Sequence, residues 1–85
     1  VFMNIEKQVR DIVEEAITKE NYRLESVIYE KEGNTYFLRI VIDKDGIVDV
    51  EDTVKVFHIV NKLLDEKDPI KDAYVLDVCS MEKGR

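Results

Sequence analysis

LRIVIDKDG at Leu38–Gly46, followed by LLDEKDPI at Leu63–Ile70 and YVLDVCS at Tyr74–Ser80, decides the fold of this chain. The first segment reads as a strand running into an acidic turn. Successive side chains of a strand point to opposite faces. Tyr36, Leu38, Ile40 and Ile42 therefore share one face, and Phe37, Arg39, Val41 and Asp43 the other. The first face is apolar apart from one hydroxyl, so it belongs against helices. Asp68-Pro69 breaks the chain before a last strand, because the residue before proline is steered away from helix. That strand spans Ala73–Ser80, with Tyr74, Leu76 and Val78 facing one way and Val75, Asp77 and Cys79 the other.

Between these strands lies an amphipathic helix. Asp49 caps its orphan amides, and Asp52 sits three residues on, close to a capping-box arrangement. The helix is expected to run to about Leu64. Val50, Val54, Val56, Phe57, Ile59, Val60, Leu63 and Leu64 cover an arc of roughly 220°, more than one sheet face requires. The helix is therefore expected to pack on the sheet and against the first helix, or else to offer the excess as a partner surface.

Upstream, Ile5, Val9, Ile12, Val13, Ala16 and Ile17 form one apolar stripe of a helix over Asn4–Glu20. Asn4 is its N-cap and Glu6 complements the helix dipole. Lys7 stands where a capping box needs Glu or Gln. Asn21 tolerates the left-handed conformation that stops a helix. Tyr22–Lys31 reads as a strand joined through Glu32-Gly33-Asn34 to the strand Thr35–Asp43, making a hairpin. The order is α-β-β-α-β, and the expected fold is a two-layer α+β domain: a three-stranded sheet with both helices on one face.

The chain has 85 residues, enough for one domain with a modest core. Cys79 is the single cysteine, so no intrachain disulfide forms, and the Cys/His clusters of structural zinc are missing. This usage fits a reducing cytosol. No signal-peptide pattern and no run long enough to cross a bilayer is present. The formal net charge of −6 repels the nucleic-acid backbone over most of the surface, which argues against a free-standing, sequence-specific nucleic-acid binder.

Several chemistries fail on spacing. In Asp43-Lys44-Asp45-Gly46, a calcium loop with Gly46 at its sixth position would put Val41 where a carboxylate must stand. Gly33, Gly46 and Gly84 are isolated, so neither a phosphate-binding loop nor a GXXG nucleotide clamp exists. Cys79 and His58 lack any motif or orienting third group for nucleophilic catalysis. No cofactor, metal or small-molecule substrate is expected. Two surfaces merit attention. Lys55, His58 and Lys62 form a basic stripe on the second helix, either a solvated face or a local contact for rRNA phosphate. The open sheet face is expected to gather Val27, Tyr29, Phe37, Arg39, Val41, Val75 and Asp77, too apolar for an idle surface. Arg39 and Asp77 pair across it if their strands are neighbours.

Taken together, these motifs resemble the N-terminal domain of the bacterial ribosome maturation factor family RimP (YhbC-like). Leu38, Arg39, Ile42 and Asp43 match that family's LR-x-(Y/F)-ID. Gly46, Ile47, Val50, Glu51 and Asp52 match its next segment, with Thr53 in place of a cysteine. His58 matches the basic member of a Ser-basic pair, with Phe57 replacing the serine. Leu64, Asp65, Asp68, Pro69 and Ile70 match LD-x-x-DPI, and Tyr74, Leu76, Asp77, Val78 and Ser80 match most of the closing motif. The family's SSPG-x-(D/E)-R becomes CSMEKGR here, with Met81 and Glu82 in place of Pro and Gly. In the family this ending leads into an Sm-like barrel. The 1–85 chain is read as the N-terminal domain alone.

The resemblance implies a non-enzymatic, cytoplasmic assembly factor that binds the free small ribosomal subunit and assists its maturation. A ribosomal protein near the decoding centre is the implied partner, with at most local rRNA contact and no membrane. Motif positions suggest Arg39, Asp43, Asp52, His58, Asp65 and Asp77 as contact residues, with Asp52 also explicable as a cap and Asp65 as a helix stop. The alternative is a protein-protein interaction module unrelated to ribosomes.

Overall fold

The computed structural model describes residues 4–80, and the divergent SMEKGR ending lies almost wholly outside them. Helix α1 spans Ile5–Lys19, strand β1 Arg23–Glu32, strand β2 Thr35–Asp43, helix α2 Val50–Lys67 and strand β3 Tyr74–Ser80. The α-β-β-α-β order and the α+β class are as expected.

Local chemistry sets the boundaries. The Asn4 side chain accepts the Lys7 N–H at 3.3 Å, and α1 stops before Asn21, whose φ of 70° is left-handed. A two-residue turn at Gly33-Asn34 closes the hairpin, with Gly33 at φ 61°, a conformation that costs glycine nothing sterically. At α2 the capping box is complete: Asp52 N–H donates to Asp49 and Asp49 N–H donates to Asp52, both at 3.0 Å. The helix runs past Leu64 to Lys67, so Asp65 lies inside it and is not its stop; nothing in Asp65-Glu66-Lys67 breaks the helix. It ends where Asp68 turns left-handed and its N–H reaches the Leu64 carbonyl at 2.7 Å.

The sheet order is β1-β2-β3, with β1 antiparallel and β3 parallel to the central β2. A parallel neighbour requires a crossover, and α2 supplies it. Leu38, Ile40 and Ile42 are fully buried beneath Val9, Val13 and Ile17 of α1 and Val56, Val60 and Leu64 of α2. Both helices pack on this face and against each other, which accounts for most of the wide apolar arc of α2. The remainder, Val50 and Val54, stays exposed at 76% and 47%.

The face of β1 also differs from expectation. Val27 and Tyr29 do not lie on the open sheet face. The tight turn sets Tyr29 opposite Leu38 and Val27 opposite Ile40, on the helix-covered face. Val27 is buried, and the Tyr29 ring stacks on Tyr36 with centroids 5.2 Å apart. Side-chain alternation leaves Ser26, Ile28 and Glu30 as what β1 presents to the open side. A bulge between Leu24 and Ser26 shifts the register beyond that point.

Candidate functional site

The uncovered face of the sheet is a lattice of three rows. Glu30, Phe37 and Val75 form one, Ile28, Arg39 and Asp77 the next, and Ser26, Val41 and Cys79 the third. Arg39 sits at the centre because β2 is the middle strand. Its Nε donates to Asp77 and its Nη1 to Glu30, each at 3.3 Å. The cross-strand pair Arg39–Asp77 is thus present, and Glu30 completes a triad. The Asp77 hydrogen bond, ahead of the nearby charges, holds the Arg39 pKa above its ordinary value. A guanidinium carries five N–H donors in a planar fork, so Arg39 keeps donors for a partner's carbonyl or carboxylate. Around the triad lie Ile28, Phe37, Val41 and Val75, the last 46% exposed. A flat, half-apolar face with a central ion triad suits macromolecular contact rather than chemistry on a small molecule.

The six positions suggested by motif do not converge. Arg39 and Asp77 share the open face. Asp43 lies at the end of β2, buried, accepting from Arg23 at 2.9 Å. Arg23 also reaches Asp45 at 3.1 Å, so the acidic turn is clamped by a cation of β1. Asp52 is occupied by the fold: it accepts from Tyr22 Oη at 2.5 Å, pairs with Lys44 Nζ at 2.8 Å and caps α2. Lys44, then Tyr22, then the Asp49 amide push its carboxyl well below the usual range. The same hydrogen bond, with burial, raises the Tyr22 phenol to about 12. His58 and Asp65 are exposed on α2, in the other layer.

The basic stripe of Lys55, His58 and Lys62 is exposed on α2. Lys55 pairs with Glu20 at 2.7 Å and thereby ties α2 to the end of α1. His58 meets Phe57 edge-on, with ring centroids 6.0 Å apart. Cys79 is half-buried on the open sheet face, so the structure does not join it to His58. Its thiol is pushed up by burial and by Asp77. Among the described residues, no group of three or more His, Cys, Asp or Glu is placed to hold a metal ion, and no helix is long and apolar enough to cross a membrane.

Ser26, Ile28 and Glu30 are the β1 members of this face that sequence reasoning missed. The signal was the two-residue turn, which fixes the pairing of β1 once the hairpin is counted back from Gly33-Asn34.

The architecture defines a small α+β domain whose open sheet face is built around a central, ion-paired arginine. The family comparison says which: the chain matches the model for the RimP N-terminal domain over residues 12–81. It belongs to that family, and so to a family of ribosome maturation factors.

Proposed function

We propose that this domain binds the free small ribosomal subunit and assists its maturation in the cytoplasm. The observation that carries the reading is the family match, which runs from inside α1 to the end of β3. The open face around Arg39 is the primary contact, directed at a ribosomal protein near the decoding centre. Lys55, His58 and Lys62 supply at most a local rRNA contact, since the net charge of −6 opposes broader binding to phosphate. The domain acts by differential affinity: it stabilises one arrangement of the immature subunit over another, with no chemical step.

Co-sedimentation with purified small subunits through a sucrose gradient, at low and moderate salt, tests this. The domain is expected to travel with free small subunits and not with assembled ribosomes. Arg39→Glu is expected to abolish that association while leaving the fold intact, because Arg39 lies outside the core. No association at either salt would remove the contact from this domain and favour an interaction module unrelated to ribosomes. Unchanged binding by Arg39→Glu would move the contact off the open face.

A further inference from the structure

We infer that the outer edge of β3 is a strand-acceptor site for an extended, basic segment of a partner protein. The two edges of the sheet are treated differently. Edge strands present unpaired N–H and C=O groups that pair with other chains unless something blocks them. The β1 edge is blocked by α1. Arg10 donates to the Leu24 and Glu25 carbonyls at 3.5 and 3.4 Å, and the Tyr29 N–H donates to Glu6 at 2.8 Å. A bulge disrupts the same strand. The β3 edge has none of this. Among the described residues its one strand partner is β2, and no side chain hydrogen-bonds its main chain. It also lacks the lysine or proline that commonly guards an edge, and its single charge, Asp77, is engaged by Arg39.

Beside this edge runs a groove suited to the side chains of an added strand. Thr53, Val54 and Phe57 of α2 form one wall, and Leu76, Asp77 and Val78 form the other, enclosing about 260 Å³. Past Phe57 and Leu76 the groove opens into a wider basin lined by Asp65, Asp68, Asp72 and Tyr74. Among the described residues, Lys71 is the one cation lining either part. A strand laid here would turn every second side chain toward Val54, Phe57 and Leu76, which asks for apolar residues. The acidic rim asks for lysine or arginine among the others. A second copy of this chain would set acidic rim against acidic rim, and nucleic acid meets the same repulsion. The inference does not depend on the ribosomal reading, because an open edge with an acidic rim accepts a basic strand from any source.

The probe is a capped peptide in which lysines alternate with valine and threonine, titrated into the isotope-labelled domain and followed by amide shifts and hydrogen exchange. Shifts are expected on Tyr74–Ser80 and on Val54 and Phe57, with new exchange protection along β3. Methylating alternate backbone nitrogens of the peptide is expected to weaken binding about tenfold or more, because it removes the ladder donors but keeps the charge. Replacing its lysines with glutamates is expected to abolish binding, and Val54→Lys in the domain, at an exposed position, to weaken it about tenfold. Equal binding of the methylated peptide would reveal charge attraction alone and overturn the proposal. So would shifts centred on the open face, no binding of the unmodified peptide, or self-association through β3 without peptide. Failure of ribosome co-sedimentation leaves these outcomes untouched.

Discussion

Tyr22 and Asp52, thirty positions apart in sequence, meet in a 2.5 Å hydrogen bond that ties the start of the hairpin to the first turn of α2. The same carboxylate pairs with Lys44 and closes the capping box with Asp49. One side chain thus joins the end of α1, the acidic turn after β2 and the N-terminus of the crossover helix. A charged acceptor makes this bond stronger than a neutral one.

Tyr22→Phe removes the phenol and keeps the buried ring. The expected loss is about 1.5–3 kcal/mol, the usual worth of a hydrogen bond to a charged group. In urea denaturation the midpoint should fall with an unchanged slope, because the core is intact. Combining it with Asp52→Asn should cost less than the two single changes summed, since both act on one bond. Additive losses would mean that the two residues stabilise the fold separately.

Asp52 also sets an acid limit. Its carboxyl is held below its ordinary value by Lys44, Tyr22 and the Asp49 amide, so the unfolded chain binds this proton more readily than the folded one. The resulting stability is fully present above the unfolded value of about 3.9 and is lost as pH falls through the folded value. Asp52→Asn should therefore be less stable than the parent at neutral pH, with the gap narrowing in urea titrations below about pH 4. A gap equally wide at low and neutral pH would show that Asp52 acts through its shape alone.

Much of this architecture is readable in the chain because it is decided locally. The alternation of β2 and the capping signals of Asn4 and Asp49 concern residues within a few positions of one another. The face of β1 was not readable in the same way. It hangs on a turn of two residues and a bulge after Leu24, and a shift of one residue reverses every side chain. Arg39–Asp77 was accessible only as a conditional pairing until α2 placed β3 beside β2. Motif letters alone did not separate Asp43 and Asp52, which the fold employs, from Arg39, which faces outward. That distinction depends on Arg23, Tyr22 and Lys44 arriving from distant segments.

Leu38→Ala should be among the most damaging single changes. Leu38 is fully buried at the centre of β2, and truncating such a leucine costs about 2–5 kcal/mol through lost burial and a residual cavity. A small domain has about 5–10 kcal/mol in total. Ile47→Ala is the control: Ile47 is 83% exposed, and its loss should shift stability by no more than about 0.5 kcal/mol. Chemical denaturation of the two variants side by side checks the contrast.

Cys79 should be a slow thiol. Burial and Asp77 both disfavour its thiolate, while Arg39 opposes them less strongly, and the thiolate is the reactive form. Alkylation at neutral pH is expected to be several times slower in the native domain than in denaturant. Arg39→Met should slow it further by removing the one opposing charge. Faster alkylation of the native protein than of the unfolded chain would contradict this environment.

Asp68 closes α2 at a cost. It is left-handed, with φ 46° and ψ 56°, immediately before Pro69, where that conformation is unfavourable. Its carboxylate also faces the negative end of the helix dipole. Asp68→Gly removes both penalties and adds some unfolded-state entropy, so a net gain of about 0.5 kcal/mol is expected. Asn21→Ala should act in the opposite sense: alanine has no side-chain amide to support φ 70°, and a loss of about 1 kcal/mol follows. Thermal melts of the two variants should therefore move in opposite directions. A lower melting temperature for Asp68→Gly would show that the Asp68 side chain stabilises the Asp-Pro junction by more than its backbone strain costs.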